Sequence, residues 1–180
     1  MIINLRFAVL AVLCLAVSTA APAQKNKVSF GLSLGVFVPQ SSAVRDSYGS
    51  TWFRAAFKTF EEERPTHWQF IGEVGSYRLD GPPDVRIVPI TVGFERAMNK
   101  KKSAQPYIAL RAGPYFGNIR DNTIALDDSN TGLNINAAYG VTFKRRFYVE
   151  ARYDYFSPFS GSNFSGFSLS AGMKLFDIRL

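Results

Sequence analysis

Val28-Ser29-Phe30-Gly31-Leu32-Ser33-Leu34-Gly35-Val36-Phe37-Val38-Pro39 alternates with a period of two. Phe30, Leu32, Leu34, Val36 and Val38 share one parity, and Ser29, Gly31, Ser33 and Gly35 hold the other. Successive side chains of a strand point to opposite faces, so the stretch sets an apolar wall against a small, polar one. A soluble sandwich would bury the apolar wall and carry long charged residues on the other. Here the second wall is small, which suits a narrow interior. Apolar outside and polar inside is the pattern of a β-barrel dissolved in a membrane.

Seven further blocks repeat the alternation: 51–60, 67–79, 85–97, 106–117, 132–144, 146–156 and 164–176. In the sixth of the eight, Leu133, Ile135, Ala137, Tyr139, Val141 and Phe143 oppose Asn134, Asn136, Gly140, Thr142 and Lys144. One such block is weak evidence, and eight in a row are strong. No helix-period segment competes for length. A membrane strand needs about 9–11 residues, and closure removes the sheet edges that lipid cannot satisfy. The expected fold is therefore all-β, an eight-stranded antiparallel up-and-down transmembrane β-barrel. Residues 40–50, 80–84, 118–131 and 157–163 are rich in turn-forming types and are expected as outer loops. Residues 61–66, 98–105 and 144–146 are expected as periplasmic turns. Pro89 and Pro114 fall inside strands and cannot donate to the ladder, which predicts bulges or bends there.

Residues 1–23 carry one basic residue, Arg6, an apolar run at 7–17 and an Ala21-Pro22-Ala23 cleavage pattern. They read as a cleaved signal peptide, which leaves 24–180 as a single barrel domain. The run is shorter than the roughly 20 apolar residues of a membrane helix. Cys14, the one cysteine, lies within the signal, so the exported chain has no disulfide framework, thiol nucleophile or cysteine metal site. The formal net charge of +7 is concentrated in Lys100-Lys101-Lys102 and Lys144-Arg145-Arg146. Basic runs can bind nucleic acid, but an exported barrel rarely meets it, and solvated turns near anionic lipid are the better reading. The 16 phenylalanines suit a lipid-facing surface with aromatic girdles.

The inward parity collects Arg54, Lys58, Glu73, Glu95, Arg111, Lys144, Glu150, Arg152, Asp154 and Lys174. The interior of an eight-stranded barrel is just wide enough for side chains to fill. A mixed-sign network that plugs the lumen is the economical reading, because buried charges are tolerated when paired. A narrow gated conduit is the alternative, and it requires the network to open. Glu150-x-Arg152-x-Asp154 could suggest paired-carboxylate catalysis, but alternation along one strand produces that spacing, and the arginine between the acids favours a static pair. His67, the sole histidine, stands beside Trp68 where a turn enters a strand. Without a neighbouring serine and acid motif it gives no activated nucleophile, which speaks against the further alternative of a membrane-embedded lipid-modifying barrel enzyme. No catalytic, cofactor-binding or metal residues are assigned. A soluble lipocalin-like barrel binding an apolar ligand would need an apolar interior, and the ten charges speak against it.

Ile87-Val88-Pro89-Ile90-Thr91-Val92-Gly93-Phe94, the stretch from Gln105 to Phe116, and the terminal pair of stretches Arg146–Phe156 and Phe164–Gly172 resemble the small outer-membrane β-barrel proteins of Gram-negative bacteria. This is the porin-like outer membrane protein beta-barrel domain family related to OmpX and OmpW. The resemblance covers essentially the whole exported chain. It implies a non-enzymatic barrel in the cell outer membrane, monomeric, surrounded by outer-membrane lipid and lipopolysaccharide and inserted by the barrel-assembly machinery, with no cofactor and no nucleic acid. Members commonly end on an aromatic residue read by that machinery. Here Phe176 is the last aromatic, and Asp177-Ile178-Arg179-Leu180 follow it.

Overall fold

The computed structural model describes residues 27–61, 68–81, 83–98, 103–121, 126–144 and 146–179. The signal segment, His67 and Lys100-Lys101-Lys102 lie outside the described residues, as does Arg145. Eight strands run in chain order: β1 (Lys27–Pro39), β2 (Trp52–Glu61), β3 (Gln69–Leu79), β4 (Asp84–Ala97), β5 (Ala104–Asp121), β6 (Leu126–Phe143), β7 (Phe147–Phe156) and β8 (Gly166–Arg179). Each pairs antiparallel with the next, and β8 returns to β1, so the sheet closes on itself. Closure gives the strands' backbone N–H and C=O groups partners along the chain's own ladders, as hydrocarbon requires.

The alternation read from β1 is the alternation observed. Leu32, Leu34, Val36 and Val38 are exposed, Leu34 at 51%, while Ser29 and Ser33 are buried. Phe30 shares the outward parity and is covered by Phe57 and Phe176, whose ring centres lie 5.6 and 5.1 Å away. The same outward face carries Phe94, Leu110 and Leu169, all more than half exposed. Such a continuous apolar exterior is unstable in water and is what a bilayer-spanning barrel presents. Trp68, Phe143, Phe147 and Phe176 stand outward at the end where the chain's termini lie. Phe53, Tyr155 and Phe167 do so at the opposite, loop end. Two aromatic girdles thus flank the belt.

Four features depart from the sequence reading. The first connection contains a helix, α1 (Ser42–Tyr48), capped by Ser41 and seated by its buried residue Val44. The stretch 118–131, expected as a loop, is mostly strand. β5 and β6 are 18 residues each, and their hairpin continues through Arg120↔Asp127 to Asp121↔Leu126. Arg120 Nη2 pairs with Asp127 Oδ2 at 3.3 Å. Asn118 Nδ2 donates to Asp127 Oδ1 (2.9 Å), which holds that exposed carboxyl below the usual carboxylate range. Pro89 and Pro114 interrupt ladders without shifting any register. Pairs are missing opposite Pro89 on β3 and at Ile90 and Thr91 against β5, and the pairing resumes in phase. The register shift lies elsewhere, in β8, where Phe30 faces Phe176 but Gly31 faces Lys174. Leu175 is the extra residue, and both Leu175 and Phe176 point outward as a result.

Leu34→Arg is expected to cost about 2–4 kcal/mol, the penalty of a cation near the bilayer midplane. Reversible urea unfolding from lipid vesicles measures it, and a negligible change would mean that Leu34 does not face hydrocarbon.

Candidate functional site

The lumen is filled in layers, and the middle layer holds the charges. Glu73 on β3 takes a bidentate pair from Arg152 on β7, Nη1 to Oε1 at 2.5 Å and Nη2 to Oε2 at 2.6 Å. Arg54 on β2 adds a third contact to Glu73 at 2.9 Å, and Arg111 on β5 approaches at 3.7 Å. Glu150, two residues before Arg152 on the same strand face, accepts from Lys58 (2.9 Å), Arg111 (3.1 Å), Arg152 (2.7 Å) and the Tyr107 hydroxyl (2.8 Å). Asp154 accepts from the Tyr77 hydroxyl at 2.8 Å and lies 3.8 Å from Arg152 Nη1. Glu95 meets Gln69 at 3.3 Å and Arg111 at 3.8 Å. Four cations, Arg54, Lys58, Arg111 and Arg152, therefore face four carboxylates from opposite walls, and the layer is electrically balanced. All eight side chains are buried. Shared, bidentate contacts of this kind are what make charge tolerable away from water.

Small residues on the inner wall are seats for tyrosine rings. Tyr107, Tyr115 and Tyr148 face Gly140, Gly132 and Gly172 across the ladder. A Cβ at any of the three glycines would strike the tyrosine ring or hydroxyl opposite it. The ring thereby covers backbone that a glycine leaves bare, and the hydroxyls of Tyr107 and Tyr115 reach the charged layer and a loop carbonyl. Tyr107 hydrogen-bonds to Glu150, and Tyr115 donates to the Ser157 carbonyl at 2.5 Å. Lys58 Nζ lies 4.2 Å from the centre of the Tyr148 ring, and Lys174 Nζ lies 4.8 Å from that of Phe60. These cation–π contacts belong to the layer nearer the termini.

Toward the loop end the interior turns apolar. Phe37, Trp52, Val85, Ile87, Ile119 and Phe156 point inward from the strands. Phe159 and Phe164 enter from the last loop, and Val44 enters from α1. The rings interlock: Phe159 stacks on Phe164 at 4.5 Å, and Phe37 meets Tyr77 edge-on at 5.0 Å. Arg45 ties α1 to the rim through the carbonyls of Pro39 and Gln40, at 2.8 and 2.6 Å. The outer mouth is closed by an aromatic cap.

Of the ten charges assigned inward from sequence, eight form the balanced layer and Lys174 lies buried nearer the termini. Lys144 is corrected: it is exposed in the turn between β6 and β7 with φ 47°, and its parity ends with the strand. The left-handed backbone at Lys144 and the Arg146 N–H to Phe143 carbonyl bond (3.0 Å) make the turn too tight for it to face inward. The Glu150-x-Arg152-x-Asp154 triplet is knit into the charged layer, with Arg152 contacting Glu73 as well as Glu150 and Asp154. The aromatic cap is not read from sequence. Phe37, Trp52 and Tyr77 nevertheless share the inward parity, and that is the signal that could have found them. The charged layer across the middle of the lumen differs from the apolar interior that a lipocalin-like cup requires, while the loop end is packed with aromatic side chains.

Removing a glycine seat by Gly140→Ala is expected to destabilise by about 1–3 kcal/mol, the usual cost of overpacking. Glu73→Gln is expected to cost more, about 3–5 kcal/mol, because it leaves guanidinium groups buried without their counter-charge. Equilibrium unfolding of both variants from vesicles checks the order, and a Glu73→Gln protein as stable as the parent would show that the layer is not held by this carboxylate.

No family model and no curated protein matches the chain. Solved structures match it closely in shape. Neisserial surface protein A (NspA) superposes with a TM-score of 0.65 at 16% identity, covering 86% of this chain and 99% of that one. The N-terminal β-barrel domain of Pseudomonas aeruginosa OprF gives 0.57 at 13%, over 84% and 98%. The outer membrane enzyme PagL gives 0.56 at 14%, over 81% and 98%. At such identities the likeness speaks for the fold, and it spans nearly the full length of each relative. The architecture is that of the small eight-stranded outer-membrane barrels.

Proposed function

We propose that the protein is a non-enzymatic, integral outer-membrane barrel with a closed lumen, whose work is envelope structure or surface interaction. The observation that carries this reading is the filled interior. A balanced charge layer crosses the lumen and an aromatic cluster lies across its loop end, which supports a filled interior over a conduit or an apolar ligand cup. Catalysis has no support among the described residues, because the buried carboxylates are each engaged by cations or hydroxyl and amide donors. The fold alone does not decide this, since PagL is described as an enzyme and shares it. The polar hairpin of β5 and β6, braced where Ser160 hydrogen-bonds to Asp128, is accessible at the loop end together with the polar face of α1. In this reading the loop end faces outward, the termini lie at the periplasmic face, and the barrel is a monomer. Lipopolysaccharide and phospholipid are its neighbours, and the barrel-assembly machinery inserts it.

The protein is expected to fractionate with outer membranes and to show heat-modifiable gel mobility. Recovery as a soluble periplasmic protein would overturn the placement. Planar-bilayer recordings are expected to show no conductance above background, and stepwise openings would replace the closed-lumen reading with the conduit.

A further inference from the structure

The turn that joins β6 to β7 puts a lysine where backbone chemistry favours glycine or asparagine. Lys144 has φ 47°, and among the described residues only Lys144 and Ser160 take a positive φ without being glycine. A long side chain in that left-handed region carries a steric cost that Gly or Asn largely avoids. Main-chain bonds hold the turn in place. The Lys144 N–H donates to the Ser103 carbonyl at 3.1 Å, and the Arg146 carbonyl accepts from the Lys174 N–H at 2.8 Å. The side chains of Lys144 and Arg146 are exposed, and neither meets a carboxylate. A strained position whose side chain does no packing points to a use for that side chain.

Depth and charge say what the use is. Phe143 and Phe147 face each other across the ladder in the aromatic girdle of the terminal end, 42% and 49% exposed. Lys144 and Arg146 each stand one residue beyond this pair, about 3.3 Å of chain, on the headgroup side of the girdle. Through Ser103 the turn also abuts the connection between β4 and β5, whose sequence carries Lys100-Lys101-Lys102. Setting aside Arg6 and the six basic residues of these two connections leaves 14 of the 21 basic residues, matched by 14 acidic ones. The positive surplus of the exported chain therefore belongs to this one sector of the terminal rim.

We propose that the β6–β7 turn binds the headgroup phosphate of an anionic glycerophospholipid in the periplasmic leaflet, with Lys144 and Arg146 as its cations. The inference rests on the membrane placement proposed above. A phosphodiester lies at the depth of these two side chains and complements their charge. A zwitterionic headgroup brings its own cation, which a basic rim repels. A soluble periplasmic partner would have to reach past the headgroups to touch side chains one residue from the girdle.

A local reporter makes the site measurable. Phe147→Trp in a Trp68→Phe background places an indole beside the turn, and the Trp68→Phe chain supplies the signal of the enclosed Trp52 for subtraction. The full exported chain is reconstituted in vesicles of equal phosphatidylglycerol and phosphatidylcholine, with brominated acyl chains on one lipid or the other. Brominated phosphatidylglycerol is expected to quench the reporter in preference to brominated phosphatidylcholine, and high salt to erase the preference. Lys144→Asn is expected to reduce it about fivefold, equivalent to about 1 kcal/mol for one basic residue at an anionic surface. In pure phosphatidylcholine the same variant is expected to unfold at higher urea than the parent, because asparagine tolerates the left-handed backbone. Arg86→Gln, at the loop end of β4, is expected to change neither readout. Equal quenching by the two lipids, an equal loss in Arg86→Gln, or a Lys144→Asn chain that keeps the preference or loses stability would overturn the site alone. A salt-sensitive dimer in zwitterionic detergent would also overturn it, assigning the turn to the acidic Glu61-Glu62-Glu63 run of a second copy. Failure of the native chain to insert, seen as loss of heat-modifiable mobility, would overturn the membrane placement and the site with it.

Discussion

An eight-stranded barrel encloses a lumen whose width is set by strand number and tilt, and every inward side chain must share that fixed space. The rest of the structure follows from this constraint. Arginines, a lysine and carboxylates can occupy such a space only if each charge meets its complement, which is why Glu73 and Glu150 each serve several cations from opposite walls. Tyr107 and Tyr148 fit because the facing wall withdraws to glycine, at Gly140 and Gly172. Where the charges stop, the remaining volume is taken by the aromatic residues of the cap.

The two walls differ in how plainly they can be read. The outward wall is legible from Leu32, Leu34, Val36 and Val38 because hydrocarbon imposes one rule on every second residue. The buried charges are legible for the converse reason, since only the inward parity can hold them. Lys144 escapes that logic because counting parity past the end of β6 ignores a turn that reverses the backbone within three residues. The cap is hidden for a different reason. Phe159 and Phe164 lie in a connection with no strand period, and Phe37 and Trp52 are apolar residues on a wall whose polar members dominate. Helix α1 is seven residues long with one buried side chain, too short to show a helical repeat. The far half of the β5–β6 hairpin reads as loop because Asn118, Asp127, Asp128 and Asn130 are turn-forming types, and beyond the bilayer neither face needs to be apolar.

The interior is thus specified by complementarity and the exterior by solvent. The small outer-membrane barrels that share this fold include a surface protein and an enzyme by their descriptions, so the sheet itself is permissive about task. In this chain the inward side chains run from the layer near Phe60 and Lys174, through the charged layer, to the cap around Phe164.

The single extra residue at Leu175 has a consequence for how the ends of the chain meet. The contact between β1 and β8 is the seam that turns a sheet into a closed tube, and in a two-faced strand a slip of one position would send Lys174 into hydrocarbon and Leu169 into the lumen. By absorbing one residue locally, the bulge confines the mismatch to the final few positions. Upstream of it the seam stays in phase from Gly31 to Pro39. Beyond it Phe176, Asp177, Ile178 and Arg179 still pair with β1 in a register one residue removed, so the seam closes along the whole of β8 and Ser29 can hydrogen-bond to Asp177.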